Sequence, residues 1–135
     1  MMSTKSNEMV VRGAIDAITR GDWDALGEFI AADNVTHFPG LSPLAGDHQG
    51  IGALQRRIVE LTGSGTEIDV QDVLASDDHA VGIYRLRAHR DGKSIEWQHV
   101  NVYQIRDGKI VEVWQHPFEQ DLVDDFFSQE SGENT

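Results

Sequence analysis

The sequence predicts an α+β fold: a helix-lined cone of three N-terminal helices packed on a curved antiparallel sheet, with a short C-terminal helix. Three observations predict it. Apolar residues recur at helical spacing as far as Gly63. From Thr66 the apolar period drops to two, the spacing of a strand with one covered face. Asp91-Gly92 and Asp107-Gly108 then stand between alternating segments, and Asp-Gly in that setting is the strongest short-range hairpin signal. Amphipathic helices ahead of such a sheet bury their stripes by covering one of its faces.

Each element has its own signal. Val11, Ala14, Ile15 and Ile18 mark a helix over about 7–20, with Arg12, Asp16 and Arg20 as an i, i+4 ladder on another face. Gly21 ends it and Asp22 caps a second helix, about 22–31, with Trp23, Leu26, Phe29 and Ile30 as its stripe. Residues 33–50 form a long connection that opens with a strand-like piece, Val35 to Phe38. Pro39, Pro43 and three glycines keep the rest out of regular structure, and a long ordered loop in a small domain points to function. Ile51, Leu54, Ile58 and Leu61 give a third helix over about 51–63. Strands follow at about 66–75, 79–90, 94–106 and 110–117, joined as a meander. A last helix, about 119–127, carries Leu122, Val123, Phe126 and Phe127. One domain therefore spans 8–127, between flexible tails at 1–7 and 128–135.

Composition removes several classes of function. The chain has 135 residues and no cysteine, which excludes disulfides, thiolate metal sites and a cysteine nucleophile. Its net charge is −12, and the last 17 residues hold six acidic groups and no basic one. Such a field repels phosphate backbones and anionic lipid, so neither nucleic acid nor membrane is an expected partner. No apolar run approaches the roughly 20 residues of a spanning helix, and Met1 to Glu8 hold no apolar signal core, so a cytoplasmic location is expected. No His-x-His or His-Glu-x-x-His is present, and no Gly-rich phosphate loop follows a strand. Neither a metal nor a cofactor is expected.

The order of elements, Gly21-Asp22-Trp23-Asp24, the Pro39–Gly50 loop and Asp107-Gly108-Lys109-Ile110-Val111-Glu112-Val113-Trp114 together resemble the nuclear transport factor 2-like superfamily. Within it the chain is most similar to the SnoaL-like and ketosteroid isomerase-like bacterial members. The superfamily includes isomerases, polyketide cyclases, dehydratases and binding proteins, so the fold alone does not name a reaction. Ketosteroid isomerases carry a first-helix tyrosine where Ala14 stands, a base aspartate near His37 or Phe38, and a second aspartate where Asn101 stands. SnoaL-type cyclases carry an acid–base pair at the positions of Asn101 and Gln115, which here are neutral amides. Scytalone-type dehydratases use an asparagine that resembles Asn101 and an aspartate that matches Asp16.

The resemblance also sets faces. It turns Tyr84, Trp97, His99, Asn101, Val113 and Gln115 toward the cavity, consistent with the two-residue alternation along 97–105. Phe38 joins them as a ligand-binding position. The opposite face, with Ile83, Val100, Val102, Arg85, Arg87 and Glu96, suits a homodimer contact. His99 is the leading catalytic candidate, because a buried imidazole stays neutral and can serve as a general base. His37 is the second, and Asn101 the group that would steady an oxyanion with Tyr84 or Gln115. Asp16 is a further possibility. The expectation is a cofactor-free acid–base enzyme (isomerase, cyclase or dehydratase type) on a small apolar carbonyl or polyketide-like molecule. The alternatives are a non-catalytic small-molecule-binding protein and a purely structural dimer.

Overall fold

In the computed structural model of the chain, residues 4–40, 46–52, 67–90 and 92–128 are described. Helix α1 spans Thr4–Arg20, α2 is the single turn Trp23–Leu26, and α3 spans Gln120–Ser128. The strands are β1 (Ile30–Phe38), β2 (Gly46–Gln49), β3 (Glu67–Ala75), β4 (His79–Arg90), β5 (Lys93–Arg106) and β6 (Lys109–Pro117). They form one sheet in the order β2-β1-β6-β5-β4-β3. The β1–β6 pair is parallel and every other pair is antiparallel.

The meander from β3 to β6 lies where the two-residue period and the turns put it. At the β5–β6 turn both Asp107 (φ 53°) and Gly108 (φ 78°) adopt the left-handed conformation that a two-residue hairpin demands. The N-terminal half differs from expectation in three ways. α1 begins three residues earlier, and Asn7 is fully buried, donating from Nδ2 to the carbonyls of Ser76 (2.9 Å) and Asp77 (2.8 Å) in the β3–β4 turn. The second helix is one turn, not ten residues. Asp22 caps it through the Ala25 amide, but Phe29 then packs its ring on Gly13 of α1, where a β-carbon would lie 2.5 Å from that ring. The Phe29 carbonyl accepts from the Ile110 amide (2.8 Å), so Ile30 starts a strand beside β6. Trp23, Leu26, Phe29 and Ile30 thus share a core without sharing a helix. Third, the connection after Phe38 contains β2, which folds back on β1 with Thr36 opposite His48. The sheet is therefore mixed and six-stranded, and three N-terminal helices are not what the described residues show. The expected third helix begins at Ile51 and Gly52, and its remainder lies outside the described residues.

The helices divide the inner face of the sheet. α1 lies against β3, β4 and β6, burying Val10, Val11, Ala14, Ile15 and Ala17 with Tyr84, Tyr103, Ile105, Ile110 and Val113. It ends in a Schellman motif: Gly21 N–H donates to the Ile18 carbonyl, Asp22 N–H to that of Ala17, and Gly21 has φ 70°. α3 lies against β5 and β6, packing Val123 and Phe126 on Ala88, Ile95 and Trp97. Between these two apolar clusters, which Leu86 bridges, β5 and β6 place His99, Asn101 and Gln115.

Candidate functional site

Alternation along β5 places Trp97, His99, Asn101, Tyr103 and Ile105 on the inner face, and all five are buried. The β4 and β6 registers add their neighbours: Tyr84 stands opposite His99, and Gln115 opposite Asn101. These side chains form one continuous chain of hydrogen bonds. Trp97 Nε1 lies 3.0 Å from His99 Nδ1. His99 Nε2 lies 2.8 Å from Asn101 Oδ1 and 3.0 Å from Gln115 Oε1. Asn101 Nδ2 reaches the Tyr103 hydroxyl at 3.1 Å, and the Tyr103 and Tyr84 hydroxyls are 2.6 Å apart.

The direction of the first bonds follows from the indole. An indole nitrogen can only donate. His99 Nδ1 therefore accepts, and in the neutral ring the proton sits on Nε2, shared between the two amide oxygens. The other tautomer would set two N–H groups against each other across the 3.0 Å contact and forfeit that hydrogen bond. Burial pushes the His99 pKa down to about 4, opposed by the bonds to Asn101 and Gln115 and aided by nearby His116. The ring is thus neutral near pH 7, as its position suggested. Its lone pair, however, is the one occupied by Trp97.

Both tyrosines hold their protons. Burial raises Tyr103 to about 12, against the hydrogen bonds from Tyr84 and Asn101. Burial, followed by the proximity of Tyr103, raises Tyr84 further. The Tyr84 ring reaches its partner by lying over Gly82, where a β-carbon would come 1.9 Å from the hydroxyl. No Asp or Glu among the described residues is buried.

His37 stands elsewhere. Thr36 next to it is buried on the inner side, whereas His37 projects to the outer side, 28% exposed, and stacks on Trp114 (centroids 5.7 Å apart). Its Nδ1 meets Asp47 Oδ1 at 2.7 Å and its Nε2 meets Glu112 Oε2 at 2.5 Å. Asp47 first, and Glu112 after it, raise its pKa. His37 and His99 therefore lie on opposite faces of the sheet and share no site. Phe38 is half-buried with its ring edge-on to His48, and Val113 is in the core under α1. Asp16 is exposed and paired with Arg20 at 2.9 Å. Tyr103 was not singled out in the sequence, although its two-residue spacing from Asn101 was the available signal. The buried polar pair Asn34 and Thr36, bonded at 3.2 Å, had no such signal.

Comparison with known proteins places this geometry in a family. The SnoaL-like domain family matches residues 11–113. An uncharacterized protein of Mycobacterium tuberculosis (strain ATCC 25618 / H37Rv) is 30% identical over 105 residues, covering 75% of this chain and 80% of that protein. Among solved structures, Bal32a from a soil-derived mobile gene cassette is similar, with a TM-score of 0.86 and 30% identity over 92% of this chain and 98% of that one. An NTF2-like protein from Burkholderia xenovorans LB400 shares the fold, with a TM-score of 0.76 and 23% identity over 96% of this chain and all (100%) of that one.

Proposed function

The chain belongs to the SnoaL-like domain family, and from that premise we propose that it binds a small, largely apolar molecule bearing a carbonyl-type oxygen on the inner face of its sheet. The observation that carries this reading is the neutral hydrogen-bonded row from Trp97 to Tyr84, set between two apolar clusters. Apolar walls with a few placed polar groups are the usual make-up of a small-molecule site. Gln115 is the half-buried member of the row, within reach of a ligand, while Trp97 and Tyr84 supply walls.

An acid–base enzyme of the isomerase, cyclase or dehydratase type would use the same donors to steady an enolate. It would also need an acceptor for the substrate proton. His99 has its lone pair on Trp97, and the described residues bury no carboxylate. Binding is therefore the function the geometry supports best. The outer face supports homodimer formation: Val81, Val102 and Trp114 form one cross-strand row, with Ile83 and Val100 beside it. Among the described residues, no helix is long and apolar enough to cross a membrane.

The test uses α-tetralone, a bicyclic aryl ketone. Native mass spectrometry of the purified protein and thermal melts with the ketone should show a bound small molecule. At a hundredfold excess over Kd, stabilisation is about 2.7 kcal/mol, and Gln115→Ala should reduce it. Absence of both a co-purified molecule and a ketone-induced shift would overturn the reading. Protein-dependent deuterium uptake at the ketone's α-carbon in D₂O would assign the acid–base reaction instead.

A further inference from the structure

The polar row on the inner face turns amide N–H groups of Asn101 and Gln115 away from His99, and we infer that Trp97 sets that polarity and so selects ligands with an acceptor oxygen. The inference rests on the inner face being the ligand site, as proposed above.

The hydrogen-bond directions are fixed outward from the one group that cannot reverse. The Trp97 N–H donates, so His99 Nδ1 must accept and His99 Nε2 must carry the proton. That proton is aimed at two side-chain amides together, at 2.8 and 3.0 Å. Each amide must then turn its oxygen to the imidazole and its NH₂ away. For Asn101, one N–H goes to the Tyr103 hydroxyl and the other has no partner among the described residues. For Gln115, the carbonyl side is held by His99, and neither N–H has a partner among the described residues. Gln115 is also half-buried, the member of the row that a ligand can touch. An unanchored glutamine offers either end to a ligand. Here, two hydrogen bonds away through His99, an indole removes that choice.

A ketone oxygen satisfies these donors and brings no hydrogen of its own. The matched alcohol brings an O–H that the oriented amide does not accept, and sites built around one hydrogen-bond pattern discriminate against ligands that leave a group unpaired. Trp97 acts through His99, so it is a positioning residue.

The experiment has two arms on the full chain. In the first, long-range ¹H–¹⁵N correlation spectra of ¹⁵N-labelled protein at pH 7 report the His99 tautomer, assigned by its loss in His99→Gln. The Nε2–H form is expected in the wild type, and a mixture of tautomers in Trp97→Phe. An Nδ1–H wild type would overturn the inference whatever the ligand data show. In the second arm, Kd values for α-tetralone and α-tetralol are compared. The ketone should bind about tenfold tighter to the wild type, and the ratio should fall to about one in Trp97→Phe. Equal binding of ketone and alcohol by the wild type would overturn donor selection while leaving the binding function intact. Failure of both to bind would overturn the binding function, and the inference with it. Should Trp97→Phe not fold, the wild-type tautomer and ketone-to-alcohol ratio still decide.

Discussion

Protonating His99 should destabilise the fold, and the size of the effect follows from its surroundings. A histidine has a pKa near 6.5 in the unfolded chain, while burial lowers His99 to about 4 in the folded one. Below 6.5 the unfolded state binds the proton that the folded state refuses, so stability falls with pH. The contribution is fully present above 6.5 and is lost as pH drops toward 4. A displacement of this size amounts to about 3 kcal/mol in total, of which about 2 kcal/mol is lost between pH 7 and pH 5. The assay is urea unfolding of the wild type and His99→Gln at those two pH values. Gln keeps a polar group at the position and does not titrate. The wild type should lose about 2 kcal/mol more than the variant across the interval. His37 has the opposite sign, because its folded pKa is raised by Asp47 and Glu112. Its contribution is fully present below 6.5 and fades as pH climbs through the raised value. It is common to both proteins and cancels in the comparison. Equal pH sensitivity of the two proteins would refute the claim that burial holds this imidazole neutral.

Three further outcomes are expected. Gly82→Ala would drive a β-carbon to 1.9 Å from the Tyr84 hydroxyl and 2.3 Å from the ring carbon that bears it, and should cost about 1–3 kcal/mol by thermal or urea unfolding. A loss below about 0.5 kcal/mol would mean that the ring moves aside at little cost. Asn7→Ala leaves the Ser76 and Asp77 carbonyls without their side-chain donor and should destabilise by about 1–3 kcal/mol, with hydrogen exchange rising in the β3–β4 turn. Val102→Asp places a carboxylate in the outer apolar row between Val81 and Trp114, and on the homodimer proposed above sedimentation velocity should show a dimer for the wild type and a monomer for the variant.

The parts of the fold that were legible in the sequence are those where local and global signals agree. Asp107-Gly108 dictates both a turn conformation and a register, and the alternation from Trp97 to Ile105 puts those residues on one face, which the family resemblance turned inward. The second helix was misjudged because Trp23, Leu26, Phe29 and Ile30 satisfy helical spacing while their burial is settled by remote partners, Gly13 for Phe29 and Ile110 for Ile30. β2 was invisible because Gly-Asp-His-Gln has no apolar alternation to read. At the site, the residue types and their shared face were legible. The pairing of His99 with Trp97 was not, because a sequence shows which ring is present but not where its lone pair points. The separation of His37 from His99 depends on the register of β1 against β6, which sets Thr36 beside Val113 and His37 beside Trp114, again a tertiary matter.

The two rims of the sheet bear on how the protein behaves in crowded solution. One rim is β2, four residues long and polar. The other is β3, which bears Glu67, Asp69 and Asp72 and an irregularity between Val70 and Asp72. Short, charged or kinked borders deny an incoming strand a template. Neither rim invites another chain to extend the sheet, so aggregation by strand addition is suppressed at both ends, and self-association is left to the flat of the sheet.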